Sequence, residues 1–330
     1  MINTSLTCFS KDYWHGKRVL VTGGAGFIGS WLTESLVNLG AVVTVVDNLS
    51  EGKLGNLRDI LKSIKFVEGD IRDVSVVKRL VKAKDFVFHL AANASVPNSV
   101  NNSDYDFETN VKGTYNILKT AHLLGNNARV IHASSAAVYG EPQYIPIDES
   151  HPLSPISPYG ASKICGETYC LAFNRVHDSK TVSLRLFNVY GPKQPRYVIY
   201  DLLNKLSQNK NVLEVLGTGE QKRDFIYVTD AVNAFLLAAQ KGEAIGQAIN
   251  IGTSTVVSIK QLASLILKLL GYEDKTSIEF TGSSWKGDVQ TFQADISLAK
   301  KTLGFKPMIS FTEGLKLEIE WFKKLHGLDD

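Results

Sequence analysis

The segment "SPISPYGASKICGE", residues 154–167, places a tyrosine and a lysine four residues apart, directly after two prolines. If the segment is helical, Tyr159 and Lys163 lie on one face, one turn apart. A nearby cation favours the ionised form of a phenol, and such a phenol can act as a base near neutral pH. The alternative is a solvent-facing pair on a surface helix, which the spacing alone favours because exposed lysines and half-exposed tyrosines are ordinary.

Six short apolar runs alternate with amphipathic stretches through the first two thirds of the chain, and they predict a sheet that could position this pair. Several runs carry Val, Ile and Phe on both alternating faces, as strands do when helices cover both sides of a parallel sheet. The fold predicted is therefore α/β, a doubly wound parallel (Rossmann) sheet. The predicted strands are 18–23, 41–47, 64–70, 85–92, 128–135 and 181–188, and the helices between them include 27–39, 74–82, 106–124 and 159–175.

After residue 188 the pattern changes to a loop rich in proline and glycine, followed mainly by helices. One further strand at 248–254 could return to the main sheet. We predict two interleaved units: 1–188 with 224–254 forms the sheet domain, and 189–223 with 255–330 forms a smaller domain. The helices predicted in this part are 197–207, 229–240, 258–270, 295–303 and 312–327.

The amino-acid composition argues against several classes of protein. The 330 residues are 44% hydrophobic and 21% charged, which is typical of a globular protein, and the net charge of +3 argues against nucleic acid or a membrane surface as the main partner. Three cysteines cannot all pair, and no spacing of His, Cys, Asp or Glu suggests a metal, so a reducing compartment is expected. Without a long apolar stretch we expect no signal peptide or membrane anchor, and a cytoplasmic protein.

A glycine-rich loop follows the first predicted strand. "TGGAGFIG" spaces Gly23, Gly26 and Gly29 as G-x-x-G-x-x-G, where a tight turn lets the backbone approach a pyrophosphate at a helix N-terminus. Asp47 ends the next strand, 18 residues beyond Gly29, and could bind the adenosine ribose hydroxyls. A carboxylate there would repel a 2′-phosphate, which favours NAD over NADP; the alternative is an unliganded turn that Asp47 merely caps.

Two serines end the fifth predicted strand, in "HASSAAVYG", at the sheet edge where such folds bind ligands. With "TGGAGFIG", "HLAA", "YGASK", "RLFNVYGP", "RDFIYVTDA" and a late "GD…AD", the chain from residue 17 onward resembles the extended short-chain dehydrogenase/reductase family. The similarity is to its branch of nucleotide-sugar epimerases and dehydratases. This resemblance implies that the larger unit binds NAD and that the smaller unit binds a nucleotide sugar.

The resemblance implies roles for individual residues. Tyr159 would be the catalytic base, Lys163 would bind the nicotinamide ribose and lower the tyrosine pKa, and Ser135 would bond the reacting sugar hydroxyl. Asp70 and Ile71 would lie beside the adenine ring, unless they form only a strand-end turn. Asn110 would be the structural asparagine of the family, unless it bonds its own helix backbone. The NAD contacts expected are Gly23, Gly26, Phe27, Ile28, Gly29, Asp47, Asn48, Asp70, Ile71, Leu90, Ala91, Ala92, Asn110, Tyr159 and Lys163.

The residues after Ser135 indicate the reaction. Family dehydratases carry an acid pair there and decarboxylating members a glutamate, whereas Ala136 and Ala137 can neither donate nor accept a proton. We therefore expect a UDP-glucose/UDP-galactose type 4-epimerase, in which C4 is oxidised transiently by tightly bound NAD. The alternatives are epimerisation at C2, C3 or C5, a uronic acid 4-epimerase, an unusual dehydratase, or a non-catalytic redox sensor.

The substrate side departs from the family. The resemblance implies substrate contacts from Ser134, Ser135, Asn188, Arg223, Lys286 and Phe292. Trp285 stands where related epimerases carry a diphosphate-binding arginine; Lys286, Lys193 or Arg196 could replace that charge, or Trp285 could stack on a base or sugar. Arg223 could instead form a surface ion pair with Asp224. The bulk of Phe292 favours plain hexoses or uronic acids over N-acetylated sugars.

Other features receive structural interpretations. His89 and His132 are predicted to be packed in strands, Cys165 and Cys170 to be small buried residues, and the Lys and Glu side chains of 312–325 to form a solvated helix face. The resemblance also implies a homodimer built from the helices around 106–124 and 159–175.

Overall fold

A computed structural model describes residues 11–124, 127–282 and 289–328. Its centre is a seven-stranded parallel sheet, in the order β11-β6-β5-β4-β1-β2-β3. The order reverses between β1 and β4, which creates a crevice at the carboxyl ends of these two strands. The strands are β1 Arg18–Thr22, β2 Val42–Asp47, β3 Lys65–Glu68, β4 Phe86–His89, β5 Arg129–Ser135, β6 Thr181–Leu186 and β11 Ala248–Ile251.

Helices cover both faces of this sheet. Side chains alternate along β1, so that Val19 and Val21 join one buried cluster with Leu32 of α2, whereas Leu20 joins a second cluster with Ile117 of α6. The predicted doubly wound sheet is confirmed, and so is the return of the late strand to its edge. The flanking helices are α2 Phe27–Asn38 and α9 Val228–Gln240 on the first face, and α3 Val74–Val81, α6 Gly113–Leu123 and α7 Pro158–His177 on the second.

Helix α7 begins where the sequence provides a strong start signal. The Ser157 hydroxyl accepts a hydrogen bond from the Gly160 amide at 3.1 Å, and Pro158 occupies the first helical position, where its missing N–H costs nothing. The helix ends at Asp178 in the left-handed conformation. Tyr159 and Lys163 are therefore fixed on its first two turns.

The remaining elements form a smaller layer beside the carboxyl ends of the main strands. Strands β9 Lys222–Arg223, β12 Val257–Ser258 and β14 Thr291–Phe292 form one sheet, while β7 Asn188–Tyr190 pairs with β10 Phe225–Tyr227 and β8 Val212–Val215 with β13 Ser277–Phe280. The predicted helices are present, with small shifts at their ends. They are α8 Tyr197–Gln208, α10 Ile259–Leu270, α11 Ser297–Leu303 and α12 Phe311–His326, with short helices α1 Lys11–Trp14, α4 Val96–Asn101 and α5 Ser103–Asp106 elsewhere.

One predicted surface is partly wrong. Glu318 of α12 is only 1% exposed, although the Lys and Glu side chains of this helix were expected to face solvent. It lies next to Ile319 on the side of the helix that packs onto the core, whereas Glu320 faces outward. Charge alone does not show which face of an amphipathic helix a glutamate occupies.

Candidate active site

A cleft of about 1340 Å³ lies at the carboxyl ends of the main strands. Such a crevice is the ligand site of open α/β sheets. Nearly all predicted site residues in the described part of the chain line it. These are Gly23, Gly26, Phe27, Ile28, Gly29, Asp47, Asn48, Asp70, Ile71, Leu90, Ala91, Ala92, Ser134, Ser135, Tyr159, Lys163, Asn188, Arg223 and Phe292.

The glycine loop leaves no room for side chains. Gly23 adopts φ +69°, and a Cβ there would lie 2.7 Å from the Ala91 nitrogen. A Cβ on Gly29 would collide with the Gly23 carbonyl oxygen. Helix α2 then begins without a side-chain cap at Gly26, so its first amides face the cleft without a side-chain acceptor. This arrangement fits a dinucleotide pyrophosphate.

Asp47 accepts hydrogen bonds from two turns and also lies in the cleft wall. Its carboxylate accepts hydrogen bonds from the amides of Ala25 and Leu49, each at 2.9 Å, and it also lines the cleft. Burial raises the pKa of this carboxyl, while the backbone donors oppose that change. These hydrogen bonds hold the carboxylate in a fixed position, and its remaining lone pairs can accept hydrogen bonds from ribose hydroxyls.

Asp70 is held more firmly than a simple strand-end turn requires. Burial would raise its pKa, but hydrogen bonds from the Arg72 guanidinium at 2.7 and 3.0 Å and from Asn48 at 2.9 Å lower that pKa to about 2. Ile71 lies beside it and is buried. The adenine contact remains a prediction, which the position of both residues in the cleft wall fits.

The catalytic candidates converge at the centre of the cleft. Ser135 ends β5, and Tyr159 and Lys163 approach it from α7. The Lys163 ammonium donates to the Ala133 carbonyl at 2.9 Å and lies 5.6 Å from the centre of the Tyr159 ring. The solvent-facing alternative is therefore wrong for Lys163, which is buried against the strand.

Burial shifts both groups towards their neutral forms. It raises the pKa of the Tyr159 phenol, although a hydrogen bond with Ser135 acts in the opposite direction. Burial also lowers the pKa of Lys163 to about 8, and the carboxylates of Asp106 and Glu167 oppose that change. The expected lowering of the tyrosine pKa is thus not a property of the protein groups alone, because desolvation outweighs the nearby charges.

A buried network behind the site was not predicted from the sequence. The Ser134 hydroxyl donates to Glu167 at 2.5 Å, and Glu167 forms an ion pair with Arg185 at 2.7 Å. Arg185 also donates to the Tyr139 hydroxyl, which donates to Asn250. The network ties α7 to β5, β6 and β11. A sugar contact from the Ser134 side chain would require it to give up its bond to Glu167.

Asn110 connects two parts of the site. Its side chain is buried and makes two hydrogen bonds to the Asn93 backbone, at 2.8 and 3.1 Å, and one to Ser162 at 3.0 Å. It therefore positions the loop after β4 against α7, as the structural role implied by the resemblance requires, and the NAD contact stays a prediction. These side-chain bonds, with a further one to the Asp106 carboxylate at 3.0 Å, replace the bond to its own helix backbone that was the alternative. Asn110 lies inside the helical segment Phe107–Lys112, and its partners Asn93 and Ser162 are 17 and 52 residues away, so the local sequence does not specify them.

The predicted substrate-side residues have different surroundings, and their contacts with a substrate stay predictions. The Asn188 amide lines the cleft and donates to the Asp224 carbonyl at 3.2 Å. The Asp224 carboxylate accepts hydrogen bonds from Thr253 and Ser254, while Arg223 donates to the Lys222 carbonyl and reaches the cleft wall. Phe292 is buried in the wall. Trp285 and Lys286 lie outside the described residues.

The structural interpretations of the histidines and cysteines were correct except at one position. His89 and His132 are both buried and stack with ring centres 5.7 Å apart, and burial lowers the pKa of each. Cys170 is buried as predicted, but Cys165 is exposed because it lies on the outer face of α7. Across the described ranges, no three His, Cys, Asp or Glu side chains group as a metal site, and no helix is long and apolar enough to cross a membrane.

Comparison with known proteins settles the family. The model of the NAD dependent epimerase/dehydratase family matches residues 19–252. The chain belongs to this family. Its members are NAD-dependent enzymes, and the dinucleotide cleft described above fits that cofactor.

Two relatives show the range of reactions in the family. A protein of Methanocaldococcus jannaschii, provisionally named a UDP-glucose 4-epimerase, is 38% identical over 92% of this chain and 98% of its own length. UDP-glucuronic acid decarboxylase 1 of Xenopus tropicalis is 36% identical over 93% of this chain and 72% of its own. Membership of the family therefore leaves the exact reaction open.

Solved structures agree in fold over almost the whole chain. The UDP-glucose 4-epimerase of Thermotoga maritima, solved with UDP-glucose, is 37% identical with a TM-score of 0.86 over 94% of this chain and 99% of its own. The UDP-glucuronic acid 4-epimerase of Bacillus cereus, solved with UDP-glucuronic acid and NAD, is 31% identical with a TM-score of 0.85 over 93% and 99%.

Proposed function

We propose that this enzyme is a nucleotide-sugar 4-epimerase of the UDP-glucose/UDP-galactose type. The observation that carries the proposal is the convergence of Ser135, Tyr159 and Lys163 in the dinucleotide cleft, followed directly by Ala136 and Ala137. The three side chains suit removal and return of a hydroxyl proton. The two alanines supply no acid or base for elimination.

Each of the three converging side chains would have a separate role in proton transfer. Ser135 binds the sugar 4-hydroxyl and presents it to Tyr159, which takes the hydroxyl proton and later returns it. Lys163 is held by the Ala133 carbonyl, and its protonated amine places a positive charge beside the phenol. NAD, held by the glycine loop and Asp47, would supply the acceptor and the source of the hydride at C4.

Elimination and decarboxylation are less well supported because each acidic side chain of the described cleft wall lies at the dinucleotide end, is paired with a cation, or belongs to α12. Asp201 pairs with Lys205 at 3.1 Å. Asp47 and Asp70 are at the dinucleotide end, and Glu51 pairs with Arg196 at 3.1 Å. Glu318 lies on α12. A dehydratase would need one of these groups beside the sugar.

A uracil nucleotide is proposed because relatives and solved structures carry UDP-sugar names or ligands. Arg223 in the cleft wall is the candidate partner of the diphosphate, with Lys286 as the second. Phe292, buried in the wall beside Phe187 at a ring distance of 5.8 Å, favours a plain hexose. A uronic acid 4-epimerase is the second candidate, since the Bacillus cereus enzyme shares the fold closely.

The wider setting is also proposed. The unit 1–188 with 224–254 would bind NAD, and 189–223 with 255–330 would bind the sugar nucleotide. The enzyme would act as a homodimer in the cytoplasm, with a small-molecule substrate and neither nucleic acid nor membrane as partner.

The experiment is conversion of a panel of UDP-, GDP-, CDP- and dTDP-sugars without added cofactor. We expect UDP-glucose and UDP-galactose to interconvert, with bound NAD released on denaturation. Accumulation of an unsaturated sugar or a pentose as the main product would contradict the proposal. Conversion of UDP-glucuronic acid to UDP-galacturonic acid alone would favour the second candidate.

The catalytic tyrosine is tested by Tyr159→Phe. We expect kcat to fall by about 10²- to 10⁴-fold, the usual contribution of a general acid–base, with binding of UDP retained. Tyr169→Phe is the matched control, since it makes the same change on the outer face of α7. An epimerase activity that survives Tyr159→Phe would overturn the mechanism.

A further inference from the structure

The segment 192–197, here called the strap, crosses from the sugar side of the cleft to the dinucleotide side. Lys193 donates to the Asn56 carbonyl at 3.1 Å, and Arg196 pairs with Glu51 at 3.1 Å. The Tyr197 hydroxyl donates to the Ala94 carbonyl at 2.6 Å. Ala94 belongs to the loop after β4, so this last bond joins the two sides of the cleft.

Tyr197 holds this position at a conformational cost. Its φ is +73°, a region that bulky side chains rarely adopt. Such strain persists only where surrounding contacts impose it. Here those contacts are the bond to Ala94 and the Arg196 guanidinium, 5.2 Å from the centre of the Tyr197 ring. The hydrogen bond to Ala94 and the contact with Arg196 therefore hold the Tyr197 ring in this position.

The bond lies close to the chemistry. Tyr197 and Tyr159 line the same cleft. Because the Tyr197 proton is directed at Ala94, its oxygen presents only acceptor lone pairs to the cleft. A sugar hydroxyl beside Tyr159 could donate to that oxygen without breaking the bond across the cleft.

We propose that the Tyr197–Ala94 hydrogen bond is a latch that retains the oxidised sugar during turnover. The inference rests on the proposed function. A 4-epimerase must let its 4-keto intermediate turn over in the site, so the sugar cannot be held tightly. Release of that ketone would leave the electron pair on the cofactor as reduced nicotinamide and stop the enzyme. A bond that closes the cleft above a loosely held sugar prevents this loss.

The experiment compares the wild type, Tyr197→Phe and Tyr200→Phe with UDP-glucose as the probe. Tyr197→Phe keeps the ring and removes the donor. Tyr200→Phe makes the same change one turn along α8, where the hydroxyl contacts His326 outside the cleft lining. Reduced nicotinamide on the protein is followed by its near-ultraviolet absorbance before any reductant is added. The free 4-keto sugar is then separated from the protein by filtration and trapped with borodeuteride. Hydrogen exchange of the strap is measured without substrate.

In Tyr197→Phe we expect about two- to tenfold more free ketone per epimerisation event, matching the loss of one hydrogen bond. Reduced nicotinamide should accumulate in equal amount, and exchange of the strap should rise. Tyr200→Phe should match the wild type. If Tyr197→Phe does not fold, Tyr197→Asn accepts the positive φ and should leak at least as much.

The two proposals fail differently. A wild type that forms epimer, with a ketone-to-epimer ratio unchanged in Tyr197→Phe, overturns the latch and leaves the proposed function intact. A wild type that interconverts no nucleotide sugar in the panel overturns the proposed function, and the latch with it.

Discussion

At the scale of single residues, the site holds a base that is difficult to ionise and a cation that is easy to neutralise. Burial raises the pKa of Tyr159 and lowers that of Lys163 to about 8. A phenol of this kind becomes a base only when positive charge is added close to it. Oxidised nicotinamide brings such a charge, so proton removal would be restricted to the complex that can also accept the hydride.

Glu318 is another buried titratable residue, on the α12 side of the cleft wall. Among the described residues, neither of its carboxyl oxygens has a hydrogen-bond partner, and the nearby Tyr227 hydroxyl also has none. Burial raises the pKa of this carboxyl from 4.5 to about 8, so it is largely protonated at neutral pH. Tyr190 and Tyr227 lie near it, and burial raises the pKa of both phenols. The carboxyl groups of Asp230, Glu313 and Glu318 raise the pKa of these phenols further.

Glu318→Gln should flatten the pH dependence of stability. Because the folded state binds the proton more tightly than the unfolded state, stability falls as pH rises from about 4.5 to about 8, by at most about 1.4 kcal/mol per pH unit. Urea unfolding at several pH values measures this slope. Glu320→Gln, on the exposed face of the same helix, should keep the wild-type slope. Equal slopes in all three proteins would show that Glu318 is ionised at neutral pH when folded.

At the scale of elements, the catalytic helix is held in place from behind. The Glu167–Arg185 ion pair is 7% exposed on each side and connects α7 to β6, while Ser134 extends the connection to β5. Tyr159 and Lys163 lie on the first two turns of the same helix. The distance from phenol to sugar hydroxyl therefore depends on a buried network that does not touch the substrate.

Removing one member of this network should lower the free energy of unfolding. Glu167→Leu leaves the Arg185 charge buried and should destabilise the fold by about 3–5 kcal/mol. The double variant Glu167→Leu/Arg185→Met should recover much of this loss, because no unpaired charge remains. Urea unfolding measures both. Glu108→Gln breaks an exposed pair with Lys112 and should cost less than about 1 kcal/mol. A double variant as unstable as the sum of the two single ones would contradict this account.

At the scale of the whole molecule, the sequence predicted the structure that follows from local periodic patterns. It did not predict side-chain pairs between residues distant in the chain. The alternation of apolar runs and amphipathic stretches predicted the sheet and its helices, and strand ends placed Ser135 and Asp47 at one edge. Glu167 and Arg185 instead meet across 18 residues, and Tyr197 meets Ala94 across 103. Such pairings follow from tertiary packing, which no local pattern encodes, and the same is true of the burial of Glu318.

The proposed homodimer can be tested on the outer face of the α6–α7 layer. Leu123, Tyr169 and Val176 are 61%, 40% and 74% exposed there, and burying such side chains against a second copy would remove apolar surface from water. We expect sedimentation equilibrium to give twice the mass of one chain. Tyr169→Glu should shift the protein to monomers by placing a charge in the contact, whereas Val42→Glu, at the exposed start of β2, should not. A monomeric wild type, or a Tyr169→Glu protein that stays dimeric, would show that these helices do not form the contact.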